Sequence, residues 1–467
     1  MIPDRLNSVL DSVRPLAHRF DAAGHRLYLV GGIVRDLVVG RPLGGDIDLT
    51  TDARPEVTAD LVRGWANAVW DQGARFGTVG LQRGGVTFEI TTHRADAYSP
   101  DSRKPEVSFA MEVETDLSRR DFTVNAMALR VTGAAGESPE LIDPFGGVAD
   151  LAAGVLRTPL DPEVSFTDDP LRMLRAARFV AGYGLAPVPE LVAVVPRLVD
   201  RLEIVSAERV RDELSKLLVV EDPSAGLWFL VDTGVADVLL PELPAMRVEQ
   251  DPIHRHKDVL AHTVAVVAKT SPRLVLRAAA LLHDVGKPKT RSIGSKGVSF
   301  HHHEVVGARM ARDRLRALRF SNEQIEAITQ LVYLHLRFHG YGDDVWTDAA
   351  VRRYVRDAGP LLDELNELTR CDCTTRNERK ARMLAQRMDD LEARIAELRQ
   401  REELEAIRPD LDGQAVMAHL GLQPGPLVGQ ALAMLLEARL EEGPLEEQEA
   451  KARLDEWYKQ QKPSIDL

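Results

Sequence analysis

The sequence has little cysteine and lacks any long apolar run. Its only cysteines, Cys371 and Cys373, are two residues apart, a spacing that points side chains on a helix in different directions. A disulfide or a lone zinc site is therefore not expected, and we predict two small buried side chains. No apolar stretch is long enough to span a membrane, and charged residues interrupt the N-terminus where a signal peptide would be apolar. We expect a cytoplasmic protein with no membrane partner.

Basic residues are also fewer than acidic residues, which gives the chain a formal net charge of −13. This balance argues against a protein that coats nucleic acid with a uniformly basic surface, although local basic faces are compatible with it. The chain has 467 residues, of which 44% are hydrophobic and 28% are charged. These values predict a globular protein of two to four domains.

The stretch Gly44 to Thr50 contains two aspartates that are two residues apart, Asp46 and Asp48. If the chain is extended here, both side chains lie on one face of the strand, about 7 Å apart at their Cα atoms. Two carboxylates in this arrangement can share divalent cations, which prefer hard oxygen ligands. A solvated turn would carry the same pattern, so the pair needs support from other motifs.

A glycine turn precedes these aspartates. Leu27 to Val30 predicts a buried strand that runs into Gly31 and Gly32, and the residues from Val34 predict a helix. Free backbone N–H groups in such a strand, turn and helix can bind a phosphate, helped by the helix dipole. A simple tight turn explains the two glycines equally well.

A third carboxylate follows on a predicted hairpin. After a helix expected over Pro55 to Ala68, the strands Phe76 to Leu81 and Val86 to Thr91 flank the turn Arg83-Gly84-Gly85. Glu89 in the second strand is either part of a solvated face or the third ligand of a two-metal phosphoryl-transfer site. Residues 93–118 have little periodicity and several helix breakers, which predicts a long mobile loop with a functional role.

Taken in order, the motifs resemble those of the class II tRNA nucleotidyltransferase and bacterial poly(A) polymerase family, and most nearly its actinobacterial CCA-adding members. The resemblance implies an α+β protein with a mixed α/β, polymerase-beta-like head. It implies a head over 1–150, an all-α neck with nucleotide-selecting helices over 151–250, an HD domain over 251–375 and a tRNA-contacting helical tail over 376–467. The motifs are Gly31-Gly32 with Arg35-Asp36, Asp46-x-Asp48, Glu89, Arg119 to Ala128, Asp143 to Gly147, Asp169 to Phe179 and Glu208 to Leu214.

The resemblance also implies roles for individual residues. Asp46 and Asp48 would hold Mg²⁺, with Glu89 beside them as the third catalytic carboxylate. The other residues implied in nucleotide binding are Gly31, Gly32 and Arg35 at the triphosphate, Arg119, Arg120 and Asp121 at the ribose, Asp169 and Arg172 at the base, and Asn125, Arg175 and Arg178. The family pattern Glu-Asp-x-x-Arg is here Asp168-Asp169-x-x-Arg172, a departure outside the base-reading pair.

The base-reading pair also has a physical rationale. Residues three apart on a helix are neighbours, so the Asp169 carboxylate and the Arg172 guanidinium would reach one flat base edge. CTP and ATP both present an amino donor beside a ring nitrogen, whereas UTP and GTP place a carbonyl there. An ordinary helix salt bridge is the alternative interpretation.

The second half contains a histidine and aspartate pattern that resembles an HD domain. It begins near His254-Arg255-His256, and the resemblance implies His262, His283, Asp284 and Asp372 as metal ligands. His303 and His335 are available for a second ion, and the metal would be Mn²⁺, Ni²⁺ or Mg²⁺. Such a site either hydrolyses a phosphoester, as a phosphatase or 2′,3′-cyclic phosphodiesterase, or only stabilises the helical body.

The C-terminal part predicts long helices with basic faces. A heptad seam from Leu384 to Leu398 predicts one helix that ends at Pro409 and packs on a neighbour or on a second copy, so a monomer and a homodimer are both compatible. Leu420 to Gly429 predicts a Gly/Pro turn between helices that either binds an RNA phosphate or only connects them. Two basic clusters predict a tRNA backbone track: Arg309, Arg312, Arg314, Arg316 and Arg319 on one helix, and Arg376, Arg379, Lys380 and Arg382 before the long helix.

We therefore expect template-independent addition of C, C and A to the 3′ acceptor end of tRNA from CTP and ATP. A poly(A) polymerase is the first alternative, which the HD pattern and the absence of a strongly basic C-terminal extension disfavour. An enzyme that adds only CC or only A is the second, which the complete 93–118 segment disfavours. An HD phosphohydrolase whose first domain merely binds nucleotide is the third, which Asp46, Asp48 and Glu89 disfavour.

Overall fold

The computed structural model describes residues 4–70, 77–97, 106–134, 137–248, 258–294, 297–341, 346–373, 377–404 and 407–461. The chain forms two compact units, Met1–Pro244 and Ala245–Leu467. The first is a mixed α/β unit and the second is mainly helical, which confirms the predicted α+β class. Within the described ranges, every helix is too short or too polar to cross a bilayer. The expected His254 to His256 start of the HD pattern and Arg376 lie outside the described residues.

The elements up to Ala245 comprise twelve helices and eleven strands within the described residues. The helices are α1 (Asp4–Ala22), α2 (Gly32–Val39), α3 (Pro55–Val62), α4 (Val113–Ser118), α5 (Gly147–Ala153), α6 (Pro162–Asp168), α7 (Leu171–Tyr183), α8 (Pro189–Leu198), α9 (Ala207–Leu218), α10 (Ser224–Asp232), α11 (Val235–Leu239) and α12 (Glu242–Ala245). The strands are β1 (Leu27–Val30), β2 (Asp46–Thr51), β3 (Ala68–Trp70), β4 (Thr78–Arg83), β5 (Val86–Thr92), β6 (Arg94–Ala97), β7 (Glu106–Phe109), β8 (Ala128–Val131), β9 (Glu140–Ile142), β10 (Val155–Leu156) and β11 (Ala186–Pro187).

The second unit continues with helices and one small hairpin. Its elements are α13 (Val259–Lys269), α14 (Leu274–Leu282), α15 (Lys287–Thr290), β12 (Arg291–Gly294), β13 (Gly297–Phe300), α16 (His303–Ala317), α17 (Asn322–Leu334), α18 (Asp348–Ala358), α19 (Leu362–Asp372), α20 (Glu378–Arg401), α21 (Gly413–Leu420), α22 (Pro426–Glu442) and α23 (Glu447–Gln461).

A seven-stranded sheet in the order β3-β4-β5-β2-β1-β8-β9 forms the frame of the first unit. Its described neighbours pair antiparallel except β2 and β5, which are parallel. Side chains alternate across these two strands, so Ile47 and Phe88 enter the core while Asp48 stays on the exposed face. The sheet therefore separates a hydrophobic face from a carboxylate-bearing face.

The interpretation of residues 93–118 as one structureless loop is wrong. Strands β6 and β7 pair as an antiparallel hairpin, and α4 follows them. Residues 98–105 of the segment lie outside the described residues. Strands of four residues are too short to produce a periodic signal in the sequence, which explains the missed hairpin.

Several predicted boundaries also differ. Helix α3 ends at Val62 rather than Ala68, because Gly64 adopts a left-handed φ of +73° that breaks the helix. Phe76 lies outside the described residues, and β4 begins at Thr78. Cys371 and Cys373 are partly exposed rather than buried, although they are free thiols as expected.

The long C-terminal helix is shorter than predicted. Helix α20 ends at Arg401 rather than Pro409, and the next residue, Glu402, is extended and forms a buried ion pair with Arg352 at 3.0 Å. The helix packs its apolar seam against α18 and α19 of the same chain. Arg379, Lys380 and Arg382 lie inside this helix rather than before it. In the other basic cluster, Arg319 lies beyond the end of α16.

Candidate functional site

Three predicted carboxylates lie together on the exposed face of the sheet. The parallel register places Asp48 directly opposite Glu89, and Asp46 precedes Asp48 by two residues on the same face. Loss of hydration raises the pKa of Asp48, and the charges of Glu89 and Asp46 raise it further, whereas Arg120 lowers it. Three oxygen ligands under mutual repulsion form a suitable donor set for hard divalent cations.

The glycine turn reaches the same point. Gly31 follows β1 with φ +73° and directly precedes α2, as the sequence predicts. A Cβ atom placed on Gly31 would lie 3.0 Å from Nη1 of Arg120 and 3.8 Å from Oδ2 of Asp48. The backbone of the turn, the Asp48 carboxylate and the Arg120 guanidinium therefore converge, and only glycine leaves space between them.

A buried carboxylate that the sequence analysis missed holds this arginine. Asp116 on α4 is 0% exposed and accepts hydrogen bonds from Arg119 Nε at 3.0 Å and from Arg120 Nη2 at 3.1 Å. Burial alone would raise the pKa of Asp116, but the two guanidinium groups outweigh burial and hold it below its usual value. The spacing of three and four residues from Asp116 to the arginines was the available signal.

Arg35 supports the glycine turn from within the protein. The residue is 6% exposed, and its Nη1 donates to Oδ1 of Asn125 at 2.6 Å. Nε and Nη2 donate to the carboxylate of Asp36 at 3.0 and 2.9 Å. The guanidinium carbon also lies 4.1 Å from the ring centroid of Tyr183. These contacts occupy the guanidinium, so Arg35 is suited to positioning the turn.

Polar contacts continue from Asn125 towards the helices of the first unit. Asn125 donates to Asp121 at 3.0 Å, and Arg175 donates to the other oxygen of Asp121 at 2.9 and 2.6 Å. Arg178 pairs with the buried carboxylate of Glu213, which Arg175 approaches at 3.8 Å. Burial opposes the charge on Asp121, but Arg175 outweighs burial and keeps the pKa of Asp121 well below its usual value. The structure thus joins Asn125, Asp121, Arg175 and Arg178 in one network.

Asp169 and Arg172 do not form the helix salt bridge that was the alternative interpretation. Asp169 is extended between α6 and α7 and accepts from Arg209 at 2.8 Å. Arg172 is 7% exposed in the first turn of α7, and its Nη1 donates to Ser165 Oγ at 2.8 Å. Pro170 explains the difference, because the residue before a proline disfavours the helical conformation. The expectation that both residues lie on one helix is therefore wrong.

The second unit brings its predicted ligands together around one buried carboxylate. Oδ2 of Asp284 lies 3.2 Å from Nε2 of His283 and 3.5 Å from Nε2 of His262. Its other oxygen, Oδ1, lies 3.3 Å from Nε2 of His303 and 3.9 Å from Nε2 of His335. Two groups of metal-ligating atoms therefore share Asp284. Asp372 joins the first group at 2.8 Å from His262 Nε2.

The ring orientations fit metal binding. The Nδ1 atoms of His283, His303 and His335 lie 2.8, 2.8 and 2.6 Å from backbone carbonyl oxygens, which assigns their protons to Nδ1. Their Nε2 atoms then carry lone pairs directed into the cluster, where those of His303 and His335 face each other at 3.3 Å. Facing lone pairs repel each other unless a cation or a proton lies between them. Burial lowers the pKa of His335 to about 3, so this ring is neutral, as a metal ligand must be.

Comparisons with known proteins match domains in both units of the chain. Three family signatures match: the poly A polymerase head domain over 27–157, the probable RNA and SrmB-binding site of polymerase A over 184–246, and the HD domain over 259–398. The A-adding tRNA nucleotidyltransferase of Deinococcus radiodurans is 35% identical over 451 residues, which cover 92% of this chain and 95% of that protein.

Other relatives match over a shorter range. The CCA-adding enzyme of Geobacillus stearothermophilus is 38% identical over 221 residues, which cover 47% of this chain and 52% of that enzyme. The structure of the Bacillus stearothermophilus CCA-adding enzyme in complex with CTP has a TM-score of 0.70 and 24% identity, with 97% of this chain and 99% of that chain covered. At this identity the likeness shows the fold. An actinobacterial affinity stays a prediction.

Proposed function

Because the chain belongs to the tRNA nucleotidyltransferase and poly(A) polymerase family, we propose that it adds C, C and A to the 3′ end of tRNA from CTP and ATP. The observation that carries the proposal is the convergence of the Gly31 turn, Asp48, Glu89 and Arg120 at one exposed point of the sheet. A phosphate-binding turn beside three carboxylates suits nucleotidyl transfer better than nucleotide binding alone.

In the proposed reaction the 3′ hydroxyl of the tRNA attacks the α-phosphate in line, and pyrophosphate leaves. Asp46 and Asp48 would hold Mg²⁺, with Glu89 beside them, and the ion would neutralise charge on the phosphates. The backbone N–H groups at Gly31 and Gly32 would receive the triphosphate. Arg120, held by Asp116, adds a positive charge at the same point, while Arg35 keeps the turn in position.

Base selection is assigned to the region around Asp169 and Arg172. Asp169 is extended ahead of α7, and its two carboxylate oxygens accept hydrogen bonds from the Leu171 N–H at the start of α7 and from Arg209. Ser165 and the Arg119 carbonyl fix the guanidinium of Arg172. Side chains held in this way are preorganised, which favours discrimination between an amino group and a carbonyl on the incoming base.

The number of nucleotides added is tested with tRNA that lacks its terminal CCA and with tRNA that ends in CC. Each is incubated with CTP, ATP or both, and the ends are sequenced. We expect CCA on the first substrate and a single A on the second, with no addition by Asp48→Ala. Addition to the CC end alone would identify an A-adding enzyme. Long A tails would identify a poly(A) polymerase.

We also propose a second activity, hydrolysis of a phosphoester by the HD cluster. The shared carboxylate of Asp284 between two groups of histidines supports it, because two adjacent metal ions can stabilise the attacking and leaving oxygens. His262, His283, Asp284 and Asp372 would hold one ion, with His303 and His335 at the other. Mn²⁺, Ni²⁺ and Mg²⁺ are the candidate ions. The substrate would be a phosphate monoester or a 2′,3′-cyclic phosphate at a tRNA end.

The test combines metal analysis with phosphatase and cyclic phosphodiesterase assays of the purified chain. We expect bound metal and hydrolysis in the wild type, with both lost in His283→Ala. Asp48→Ala should keep the hydrolysis, because it alters the other unit. Absence of bound transition metal, together with unchanged background hydrolysis in His283→Ala, would contradict the proposal.

A further inference from the structure

Helices α2 and α7 carry two parts of the proposed nucleotide site at their N-terminal ends. The glycine turn directly precedes α2, and Arg172 lies in the first turn of α7. A Cβ atom on Gly31 would lie 3.0 Å from Arg120 Nη1, and the carbonyl of the preceding residue, Arg119, accepts a hydrogen bond from Arg172. Two adjacent residues therefore connect the two helix starts where a nucleotide would bind.

The same two helices are joined a second time, further from the turn, by two arginines that lie against one aromatic ring. The ring belongs to Tyr183, the last residue of α7. The guanidinium carbons of Arg35 in α2 and of Arg41, just beyond α2, each lie 4.1 Å from its centroid. Nη2 of Arg41 also donates to the carbonyl of Gly182 at 2.8 Å. We refer to Arg35, Arg41 and Tyr183 as the Tyr183 cluster.

The ring of Tyr183 is held firmly in place. A guanidinium is attracted to the negative face of an aromatic ring and stacks well on it. The buried ring of Phe179 stacks on Tyr183 with centroids 5.2 Å apart and an angle of 18° between the planes, and Phe179 contacts Phe122 at 5.1 Å. The Tyr183 hydroxyl lies 3.4 Å from Oδ1 of Asp36, which also accepts from Arg35. The ring is therefore a fixed support for both arginines.

Arg35 connects the Tyr183 cluster to the glycine turn. Its backbone N–H donates to the carbonyl of Gly31 at 3.3 Å, and a Cβ atom on Gly32 would lie 3.4 Å from its Nη2. A shift of the Tyr183 ring would therefore displace Arg35 and, with it, the turn. The distance between the turn and the start of α7 depends on this contact.

We propose that Arg41 and Tyr183 are positioning residues that set the distance between the triphosphate-binding turn and the base-reading residues. A nucleoside triphosphate must reach both places at once, so its affinity depends on this distance. Pyrophosphate needs only the turn and the metal ligands, so its affinity does not. The inference rests on the nucleotidyl transfer proposed above and adds two residues that act through α2 and α7 without touching the substrate.

The test compares Arg41→Met, Tyr183→Leu and Tyr183→Phe with the wild-type chain. Steady-state transfer is measured from CTP to tRNA without CCA and from ATP to tRNA ending in CC. Because methionine and leucine lose the attraction between charge and ring, we expect KM for both nucleotides to rise about threefold in Arg41→Met and about tenfold in Tyr183→Leu, with kcat changed less than about twofold. Tyr183→Phe keeps the ring and should keep the wild-type KM. The inhibition constant of pyrophosphate should stay unchanged throughout.

Arg83→Met is the matched control. The guanidinium carbon of Arg83 lies 4.5 Å from the centroid of the Trp65 ring, and Arg83 donates to the Trp65 carbonyl, so it makes the same two kinds of contact as Arg41. Both arginines are exposed, but Arg83 lies in the β4–β5 hairpin. The control should keep the wild-type KM for both nucleotides.

The possible outcomes separate this inference from the proposed function. An unchanged KM in both Arg41→Met and Tyr183→Leu, or a loss confined to kcat, would overturn the inference alone. An equal rise in the inhibition constant of pyrophosphate would also overturn it, because the variants would then damage the turn itself. If Tyr183→Leu does not fold, the exposed Arg41 still carries the test. Failure of the wild-type chain to transfer either nucleotide would overturn the proposed function and this inference with it.

Discussion

Arg172 is held in one position by neighbours from two segments of the first unit. Ser165 and the Arg119 carbonyl accept hydrogen bonds from its guanidinium, which is almost fully buried. We predict that Arg172→Ala relaxes the choice among the four nucleotides by roughly tenfold or more, because a mispaired polar edge costs about 1–3 kcal/mol. The loss in transfer rate with the correct nucleotide should be smaller.

The measurement compares kcat/KM for CTP, ATP, UTP and GTP on tRNA ends. Arg197→Ala is a matched control, since Arg197 is an exposed arginine of α8 that pairs with Glu163. The control should keep both rate and selectivity. Unchanged selectivity in Arg172→Ala would remove Arg172 from base recognition.

His93 is a buried histidine of the first unit whose protonation state the structure fixes. The hydroxyl of Thr50 donates to the Thr91 carbonyl at 2.9 Å, so it accepts from Nδ1 of His93, also at 2.9 Å. Nε2 is then unprotonated and buried without a hydrogen-bond partner among the described residues. Burial lowers the pKa of His93 to about 4, which makes its protonation unfavourable in the folded chain.

Stability of the first unit should therefore fall as the pH falls. The unfolded chain takes up a proton at His93 near pH 6.5, whereas the folded chain does so only near pH 4, so the stabilisation is lost between these values. We predict a contribution of about 3 kcal/mol to this loss. Urea unfolding at several pH values should give a flatter dependence in His93→Gln, while exposed His18→Gln should behave as the wild type.

At the level of elements, we predict that nucleotide transfer depends on the shape of the turn between β1 and α2. Gly31→Ala should reduce nucleotide transfer at least tenfold, because the new Cβ would lie 3.0 Å from Arg120 Nη1. Gly84→Ala in the β4–β5 hairpin is the matched control, since Gly84 also has a positive φ but an added Cβ would have no neighbour within 4 Å.

Both glycine variants should lose about 1–2 kcal/mol of stability from the strained backbone. Comparison of urea unfolding with transfer assays separates strain from crowding. Equal activity losses in the two variants would mean that strain, rather than space beside Arg120, explains the effect.

The elements that the sequence predicted well are those with strong local signals. The β4–β5 hairpin follows from Gly84 and Gly85, which both adopt a positive φ, and the seam of α20 follows from its apolar spacing. The β6–β7 hairpin was missed because its pairing joins short strands across residues 98–105, a non-local interaction without periodicity. The end of α20 was missed because a tertiary ion pair between Glu402 and Arg352 determines it.

The sequence predicted the candidate sites about as well as it predicted the helices and strands. Asp46, Asp48 and Glu89 lie together, as predicted, because the alternation of polar and apolar residues along β2 and β5 determines which face each side chain occupies. Asp116 was not predicted as a site residue. It comes within reach of Arg119 and Arg120 only when this part of the chain is helical, and the sequence analysis did not predict α4. For Asp169, the sequence does contain the relevant signal, because Pro170 disfavours a helical conformation in the residue before it.

At the scale of the molecule, metal bound at the histidine and aspartate cluster should stabilise the second unit. The imidazole and carboxylate cluster lies wholly within Ala245–Leu467, so metal binding there favours the folded state of that unit. At 100 times the dissociation constant of the ion, we predict about 2.7 kcal/mol of stabilisation.

Calorimetry with and without a chelator measures this effect. The transition of the second unit should move to lower temperature when the metal is removed, and it should do so equally in Asp48→Ala, which alters the carboxylate site of the first unit. His283→Ala should lack the shift. A shift of equal size in that variant would show that the metal acts elsewhere.

The parallel register of β2 and β5 has a consequence for how this protein can evolve. The same alternation that sends Ile47 and Phe88 into the core presents Asp48 and Glu89 outside it. An insertion or deletion of one residue in either strand would exchange the two faces, placing carboxylates in the core and apolar side chains at the surface. Length changes should therefore be absent from these two strands in any functioning descendant, which can vary here only by substitution.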